Sequence, residues 1–441
     1  MRIAVVNLGC KVNRVELDHL SLSLARRGHE IVDPSQAQLI VINTCAVTTE
    51  AEKKTRKAIR KAAQREQEPL VLVAGCSVTL HPQEIEALHE RVSVCLNKFE
   101  LADRAEGLLK QYYGDSYECQ TAKREELDLK QDKEETAQDA ELEDLSHRRL
   151  GIKIQDGCDN RCSYCIIWKA RGKAHSLDVT QVLDQVHQAL DLGVQELVLT
   201  GINLGTYQAD YHGSCLDLAD LIELIMQKTK LKRLRLSSLE PLDLSKKLLE
   251  CMKRYEERVC QHLHLALQSG CDKTLREMNR IYNTQEFAER IAMARELNPL
   301  MSFSTDLIVA FPGESDEDFK QSYDFCKAMR FSKIHTFRYS ARPGTPAALR
   351  PDQIDGSISA HRSEEIRKLA EELRLEDARM RLGTNEYVLV EDGRQGTSGS
   401  YHKVEIIGLD STEIYPGDLV QVHLEKLSST GQLVARYIKS I

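Results

Sequence analysis

Short apolar runs alternate with amphipathic stretches in the first part of the chain. The apolar runs, each typical of a strand buried on both faces, are residues 2–9, 39–44 and 69–75. The stretches with helical spacing are residues 13–27, 50–66 and 82–91. Strands that alternate with helices predict an open parallel α/β sheet. We place this N-terminal domain at residues 1–114.

The same alternation restarts at residue 150 and runs through six strand–helix units. Their apolar runs are residues 150–157, 196–201, 232–239, 262–267, 303–311 and 333–340. Helical spacing falls at residues 178–192, 216–229, 243–257, 284–296 and 315–329. Such units predict a partial (β/α)6 barrel, smaller than the complete eight-unit form. We place it at residues 150–375, which include part of a charged helix predicted at 361–382.

The end of the chain has a third pattern. Short alternating runs such as NEYVLVE and DLVQVHLEKL are separated by turns rich in Gly and Pro. These runs predict a small antiparallel β-barrel at residues 376–441. The predicted fold class is therefore α/β, with a small all-β domain at the C-terminus.

Residues 115–149 differ from the segments on both sides. They hold twelve Asp and Glu against six Lys and Arg, and so carry most of the formal net charge of −8. We predict that they form a solvated acidic linker. The negative net charge argues against a protein that coats nucleic acid non-specifically. The net charge is an average, however, and one local stretch of the chain is basic.

Composition indicates the cellular compartment of the protein and the chemical state of its cysteines. The chain has no apolar stretch long enough to span a membrane, and its first residues, MRIAVVNLG, are typical of a strand rather than a signal peptide. The cysteine count of 13 is odd, which argues against a disulfide framework. We therefore expect a cytoplasmic protein whose cysteines are either small buried residues or ligands.

Three cysteines follow the first strand of the predicted barrel. In QDGCDNRCSYC, Cys158, Cys162 and Cys165 form a C-x3-C-x2-C run. A structural zinc site needs four ligands, and the nearest further candidate is His175. A 4Fe–4S cluster held by three cysteines leaves one iron open to a ligand. We favour the cluster, because barrel enzymes place their active sites at the carboxyl ends of strands.

This motif in a partial barrel resembles the radical S-adenosylmethionine (SAM) superfamily. The resemblance implies that the open iron binds SAM, which one electron cleaves to methionine and a 5′-deoxyadenosyl radical. The TGIN segment resembles the one that receives the SAM amino group, with Gly201 allowing close approach and Asn203 making a polar contact. Other predicted strands end near Ser237, Gln268 and Asp306, which we expect to contact SAM or substrate. Each is also compatible with a strand cap or turn residue.

A cysteine also follows each N-terminal apolar run. These residues are Cys10, Cys45 and Cys76. Neighbouring parallel strands are about 5 Å apart and end at one edge of the sheet, so three thiolates there can reach one cluster. Gly9 and Gly75 suggest tight turns that expose the cysteine side chains. The alternative is three separately buried cysteines, which are common in α/β cores.

The segments LGCKVN, NTCAVT and GC, placed before the barrel motif, resemble the methylthiotransferases. LHLALQSGCDKTLREMNRIYN and DLIVAFPGESDEDF are similar to further segments of that family, so the resemblance covers nearly all of the chain except 115–149. It implies an auxiliary 4Fe–4S cluster on Cys10, Cys45 and Cys76, a radical SAM barrel and a C-terminal TRAM domain that binds RNA. It also implies a monomeric transferase that inserts sulfur into an unactivated C–H bond and methylates it. The implied partners are tRNA, a sulfur donor and an electron donor such as a flavodoxin or ferredoxin.

The family has several branches. Its members modify either an adenosine next to the tRNA anticodon (position 37) or an aspartate of a ribosomal protein. LGCKVN and NTCAVTTEAE are most similar to the branch that converts N6-threonylcarbamoyladenosine to its 2-methylthio derivative. The isopentenyladenosine and ribosomal-protein branches remain alternatives. An iron–sulfur regulator that binds RNA without turnover is a further one.

The chain departs from the family pattern at a few positions. Ala310 stands where a glycine is usual before Phe-Pro-Gly-Glu. Trp168 and Lys169 replace a pair that usually contains proline, and Ser77 follows Cys76 where an aromatic residue is usual. No departure removes a predicted ligand. The sequence assigns no catalytic side chain.

A basic stretch follows Cys45 directly. TTEAEKKTRKAIRKAAQREQE carries Lys53, Lys54, Arg56, Lys57, Arg60, Lys61 and Arg65. On a helix these residues occupy one half of the surface, and Ala58, Ile59, Ala62 and Ala63 occupy the half that should pack on the sheet. Most charge runs are ordinary solvated faces. Charge of a single sign in an acidic protein favours contact with tRNA phosphates, through Lys53, Lys57 and Arg60.

Overall fold

The computed structural model describes residues 1–114, 149–409 and 414–441. These residues form two compact units. The first contains residues 1–114 together with residues 165–173, and the second contains the rest. None of the described helices is long and apolar enough to cross a membrane. The predicted acidic linker at 115–149 lies outside the described residues, apart from Arg149.

A parallel sheet forms the centre of the first unit, as predicted. Its strands are β1 (Arg2–Asn7), β2 (Glu30–Ile31), β3 (Leu39–Thr44), β4 (Leu70–Gly75) and β5 (Val92–Val94). They pair in the order β2-β1-β3-β4-β5, and every pair is parallel. Every residue of β3 and β4 is buried, because helices cover both faces of the sheet.

The helices of the first unit lie on the two faces of this sheet. They are α1 (Lys11–Arg26), α2 (Thr49–Ala63), α3 (Cys76–Leu80), α4 (Pro82–Glu86), α5 (Leu101–Tyr113) and α6 (Ile167–Arg171). One face packs against Leu24 of α1 and Leu109 of α5, and the other packs against Ile59 of α2. The helix predicted at 82–91 ends at Glu86, because the chain then turns into β5.

The second unit begins with a partial barrel. Its strands, with two small side pairs, are β6 (Leu150–Lys153), β7 (Gln155–Asp156), β8 (His175–Ser176), β9 (Glu196–Thr200), β10 (Gln208–Tyr211), β11 (Ser214–Asp217), β12 (Arg233–Leu236), β13 (Ser238–Leu239), β14 (His262–Leu265), β15 (Ser302–Val309) and β16 (Lys333–Arg338). The barrel wall consists of parallel sheets in the orders β6-β9-β12 and β13-β14-β15-β16. The strand predicted at 232–239 is interrupted at Ser237, so that β12 pairs with β9 and β13 pairs with β14.

Helices connect successive barrel strands. They are α7 (Val179–Asp191), α8 (Leu218–Lys228), α9 (Lys246–Arg254), α10 (Asp272–Glu277), α11 (Thr284–Leu297) and α12 (Asp316–Met329). Polar N-caps set where most of them begin: the side chains of Asp178, Asp217, Ser245, Asn283 and Ser315 accept hydrogen bonds from the first turns. These capped starts lie close to the predicted ones.

A long helix and a closed β-barrel complete the second unit. They are α13 (Gly356–Met380), β17 (Asn385–Asp392), β18 (Gln395–Ser398), β19 (Lys403–Ile407), β20 (Leu419–Leu427) and β21 (Leu433–Ser440). The strand order is β17-β18-β19-β21-β20, and β19 pairs with β21 in parallel, contrary to the all-antiparallel expectation. Five strands cannot alternate in direction around a closed ring, so one parallel pair is unavoidable. Helix α13 starts before the predicted residue 361, because Asp355 caps it.

Candidate iron–sulfur and cofactor sites

The three N-terminal cysteines lie at one edge of the first sheet. Strands β1, β3 and β4 are neighbours, and the register pairs Asn7 with Asn43 and Thr44 with Gly75. Each of these strands ends within three residues of one cysteine: Cys10, Cys45 or Cys76. Cys10 is exposed, whereas Cys45 and Cys76 are buried.

Several neighbouring groups act on the thiol of Cys45. Burial raises the pKa of Cys45, Cys10 and Cys76 act in the same direction, and Arg171 opposes them. No three His, Cys, Asp or Glu side chains in residues 1–114, 149–409 and 414–441 are grouped so as to hold a metal ion. Cysteines of a 4Fe–4S cluster bind different irons and so stand further apart than the ligands of one ion. The donor set is therefore compatible with a cluster.

Two asparagines form the floor beneath Cys10. Asn13 Nδ2 donates to Asn43 Oδ1 at 2.7 Å, and Cys10 Sγ donates to Asn13 Oδ1 at 3.1 Å. A Cβ on Gly9 would lie 2.4 Å from Asn13, and one on Gly75 would lie 2.3 Å from Asn43 Oδ1. These glycines therefore make room for the asparagines. The expectation that they expose both adjacent cysteines is wrong for Cys76, which is only 2% exposed.

Residues 165–173 pack within the first unit although they follow the barrel motif in sequence. Ile167 and Ala170 contact Ala46, Cys76 and Leu80. The Arg171 side chain is 1% exposed. It donates to Glu16 Oε1 at 3.0 Å and to Asn13 Oδ1 at 3.3 Å. Sequence analysis did not find this ion pair, because nothing in the spacing of Glu16 and Arg171 indicates that they meet.

The C-x3-C-x2-C run spans the boundary between the two units. Cys158 and Cys162 belong to the second unit, and the chain enters the first unit at Cys165. Burial raises the pKa of Cys158, and nearby Cys162 contributes in the same direction. Arg280 donates to Cys162 Sγ at 3.1 Å and also pairs with Glu240. Arg280 therefore positions the loop that carries Cys162.

His175, the candidate fourth ligand of a zinc site, lies in β8. It is exposed, and its position in the ladder is opposite Asp156 of β7. Within the described ranges it belongs to no group of three side chains that could hold a metal ion.

Gln155 organises the loop that contains Gly201 and Asn203. Its Oε1 accepts hydrogen bonds from the backbone N–H of Ile202 at 2.9 Å and of Asn203 at 2.8 Å. Its Nε2 donates to the carbonyl of Gly157 at 2.9 Å, at the start of the cysteine loop. A Cβ on Gly201 would lie 2.8 Å from Gln155 Oε1, so this position requires glycine. Gln155 was not predicted from the sequence, because its only signal is an amide at the end of an apolar run.

Ser237 and Gln268 lie at strand ends, as predicted, whereas the expectation of a strand end at Asp306 is wrong, because it lies inside β15 opposite His335 of β16. Ser237 separates β12 from β13, and the Gln268 N–H donates to the Asp306 carbonyl at 2.9 Å. Asn203 Oδ1 and Ser237 Oγ are buried with no hydrogen-bond partner in the described chain. Leaving such an atom unpaired costs about 1–3 kcal/mol, so a bound molecule that pairs with it gains affinity. These residues fit a polar cofactor such as SAM.

Helix α2 has the two faces that were predicted, except that Ala58, which was expected on the packed half, is only partly buried. Ile59, Ala62 and Ala63 are buried, as is Thr55, which was not foreseen. Lys53, Lys57 and Arg60 are exposed on the opposite face. Thr48 caps the helix by accepting a hydrogen bond from the Ala51 N–H at 3.1 Å.

Two family models match the parts of the chain that contain the two cysteine sets. Residues 152–326 match the radical SAM superfamily, and residues 2–97 match the uncharacterized protein family UPF0004. The threonylcarbamoyladenosine tRNA methylthiotransferase MtaB of Bacillus subtilis is 34% identical over 387 residues, 85% of this chain and 82% of that protein. The tRNA-2-methylthio-N(6)-dimethylallyladenosine synthase of Syntrophotalea carbinolica is 31% identical over 436 residues, 94% of this chain and 95% of that protein.

A solved structure with a similar fold is the radical SAM methyltransferase TsrM of Kitasatospora setae. It matches with a TM-score of 0.55 at 13% identity, and covers 79% of this chain and 75% of that chain. The fold and the sequence matches together define a radical SAM methylthiotransferase. Within that class, the chain belongs to the family of threonylcarbamoyladenosine tRNA methylthiotransferases called MtaB.

Proposed function

We propose that this protein converts N6-threonylcarbamoyladenosine next to the tRNA anticodon (position 37) to its 2-methylthio derivative. The observation that carries the proposal is the 34% identity to the Bacillus subtilis MtaB across most of both chains. Two sets of three cysteines support it, because the reaction needs one site for SAM cleavage and one for sulfur transfer.

We assign the cofactors as SAM and two 4Fe–4S clusters. Cys158, Cys162 and Cys165 would hold the cluster that supplies the electron for SAM cleavage, and Cys10, Cys45 and Cys76 would hold the auxiliary one. Each set leaves one iron open for a ligand. An aromatic C–H bond cannot be deprotonated by a side chain, which is why radical chemistry is required.

The protein's own part is to bind and position. We propose that Asn203 and Ser237 offer their unpaired polar atoms to SAM. Gln155 accepts a hydrogen bond from the backbone N–H of Asn203 and so holds Asn203 in place. Arg280 donates a hydrogen bond to the sulfur of Cys162 and holds Cys162 in the same way. Gln268 and Asp306 would contact SAM or substrate from the neighbouring strands. Pre-set contacts of this kind lower the cost of orienting the reactants.

Three domains share the work in this proposal. Residues 1–114 carry the auxiliary cluster, residues 150–375 carry SAM, and residues 376–441 form a TRAM-like domain that binds RNA. The tRNA would also contact Lys53, Lys57 and Arg60 of α2. We propose a monomer that works in the cytoplasm, where tRNA is modified, with a sulfur donor and an electron donor such as a flavodoxin or ferredoxin.

Nucleoside mass spectrometry of cellular tRNA tests the proposed substrate. Deleting the gene should abolish the 2-methylthio group on threonylcarbamoyladenosine and leave the isopentenyl series intact. The intact gene should restore the modification, whereas a gene encoding Cys158→Ala should not. Loss of the 2-methylthio group from the isopentenyl series instead would assign the protein to the other tRNA branch. That branch is the second candidate, because its Syntrophotalea carbinolica member is 31% identical to this chain.

Iron analysis tests the two proposed clusters. Anaerobic reconstitution should give about eight irons per chain, and about four when Cys10, Cys45 and Cys76 are all changed to Ala. The matched control is Cys215→Ala, an exposed cysteine outside both sets, which should retain the full count. A count near four in the intact protein would remove the auxiliary cluster from the proposal.

The same preparation separates the enzyme from an RNA-binding regulator. With SAM and dithionite, an enzyme should release 5′-deoxyadenosine, and the Cys158→Ala variant should not. Absence of this product from fully loaded protein would favour the regulator.

A further inference from the structure

A buried ion pair lies beside the proposed auxiliary cluster. Glu16 on α1 accepts hydrogen bonds from Arg171 at 3.0 Å and from Lys98 at 3.2 Å. The Arg171 side chain is 1% exposed and the Glu16 side chain is 10% exposed. Water therefore screens these charges poorly, and their effect on neighbouring groups is strong.

Arg171 is linked to Cys10 through Asn13. Its Nη2 donates to Asn13 Oδ1 at 3.3 Å, and the same oxygen accepts a hydrogen bond from Cys10 Sγ at 3.1 Å. Asn43 donates to Glu16 Oε2 at 3.1 Å, so the carboxylate is tied to the same asparagine floor.

We propose that Arg171 and Glu16 set the reduction potential of the cluster held by Cys10, Cys45 and Cys76. The inference rests on the proposed function, which assigns a cluster to these cysteines. The potential of an iron–sulfur cluster depends on nearby charge and on hydrogen bonds around its ligands. Reduction adds one negative charge to the cluster, which Arg171 stabilises and Glu16 opposes. The two side chains therefore act with opposite signs.

A redox titration followed by electron paramagnetic resonance tests this inference. The parent protein carries Cys158→Ala, Cys162→Ala and Cys165→Ala, so that only the auxiliary cluster remains. Arg171→Gln should lower the ratio of reduced to oxidised cluster about tenfold at a given potential, which is a shift of about 59 mV for one electron. Glu16→Gln should shift the potential in the opposite direction. Arg171→Lys, which keeps the charge, should stay near the parent.

Arg14→Gln is the matched control. Arg14 lies on α1 as well, but it is 50% exposed and pairs with Asp18, so its removal should leave the potential unchanged. If the ion pair only anchors residues 165–173, both variants will lose cluster without shifting the potential in opposite directions. Equal potentials, or shifts of the same sign, would overturn the inference. A parent protein that binds no iron would instead refute the cluster assignment itself.

Discussion

Ala310 occupies a backbone conformation that normally calls for glycine. Its φ is +59°, it is 3% exposed, and its N–H donates to Glu314 Oε2 at 2.7 Å. The family resemblance described above implies glycine at this position. The left-handed conformation costs a residue with a Cβ about 1–2 kcal/mol, whereas glycine costs about 0.5–1 kcal/mol in lost chain entropy.

Ala310→Gly should therefore raise the free energy of unfolding by up to about 1 kcal/mol. Denaturant unfolding of the purified protein measures the change. Ala58→Gly, at an ordinary position inside α2, is the control and should lower the same free energy by about 1 kcal/mol. A loss of stability in Ala310→Gly would contradict the strain argument.

The residues that sequence analysis found share one property, which is that their position along the chain carries the signal. The barrel cysteines have a short fixed spacing, and Cys10, Cys45 and Cys76 each follow an apolar run. Gln155, Arg171 and Glu16 have no such signal, because their roles depend on partners distant in sequence. The burial of Cys76 could not be predicted either, because it depends on packing against residues 167–170 of α6, which are distant in sequence.

Helix α2 carries the proposed tRNA contact. Changing Lys53, Lys57 and Arg60 to Glu should weaken tRNA binding. It should also make the slope of log K against log salt concentration less steep by about three, one for each lost phosphate contact. Cluster content and SAM cleavage without tRNA should stay normal, because these side chains are exposed and lie opposite the buried face of the helix. Filter binding at several salt concentrations measures both effects.

The control for α2 makes the same charge change elsewhere. Lys246, Lys247 and Lys253 of α9 are between 47% and 74% exposed, and their change to Glu should have a smaller effect on tRNA. If tRNA affinity is unchanged in the α2 variant at two salt concentrations, RNA binding belongs mainly to the C-terminal barrel.

Elements were predictable wherever burial imposes a clear pattern of apolar residues, either a continuous run or a period. Strands β3 and β4 are buried along their whole length, and their bounds match the apolar runs within one residue. Strand β5 was missed because three residues are too few to show a period. The hairpin of β10 and β11 was missed because it is an exposed insertion with no apolar face. The break at Ser237 was hidden because Leu236 and Leu239 flank the two serines and suggest one continuous strand.

A buried charge cluster joins the partial barrel to the C-terminal barrel. Arg233 and Arg235 on β12 both pair with Glu196 on β9. Their guanidinium groups also donate to backbone carbonyls of residues 387 and 397–399 in the C-terminal barrel. Tyr401 from the same barrel stacks on His262 with a centroid distance of 4.8 Å.

Protonating Glu196 should weaken this junction. Burial alone would raise the pKa of Glu196, but Arg233, Arg235 and Arg149 lower it to about 2 from the usual 4.5. The stabilisation is therefore present above pH 4.5 and is lost as the pH falls towards 2. Such a shift corresponds to about 3 kcal/mol.

Glu196→Gln should reduce the free energy of unfolding by about 3 kcal/mol at neutral pH. The difference from the unmodified protein should shrink between pH 4.5 and 2, and denaturant unfolding across this range measures it. Glu250→Gln, on the exposed face of α9, should change stability by less than about 0.5 kcal/mol. A constant difference between the two proteins at all pH values would show that the pKa of Glu196 is the same in the folded and unfolded states.

The contact between the partial barrel and the C-terminal barrel could not be predicted from the sequence. The carbonyls that Arg233 and Arg235 contact lie more than 150 residues away, and any residue type supplies a carbonyl. The two barrels themselves were predictable, because each has its own period of apolar residues. Their order along the chain was predictable for the same reason.

The placement of residues 165–173 limits how the gene for such a protein can be recombined. A crossover in the acidic segment would exchange residues 1–114 for those of a relative but keep the native α6. Ile167 and Ala170 would then meet an unmatched surface, and Arg171 would meet whatever residue replaces Glu16. A working chimera must therefore transfer residues 1–114 and residues 165–173 together, although these two stretches are not contiguous in the sequence.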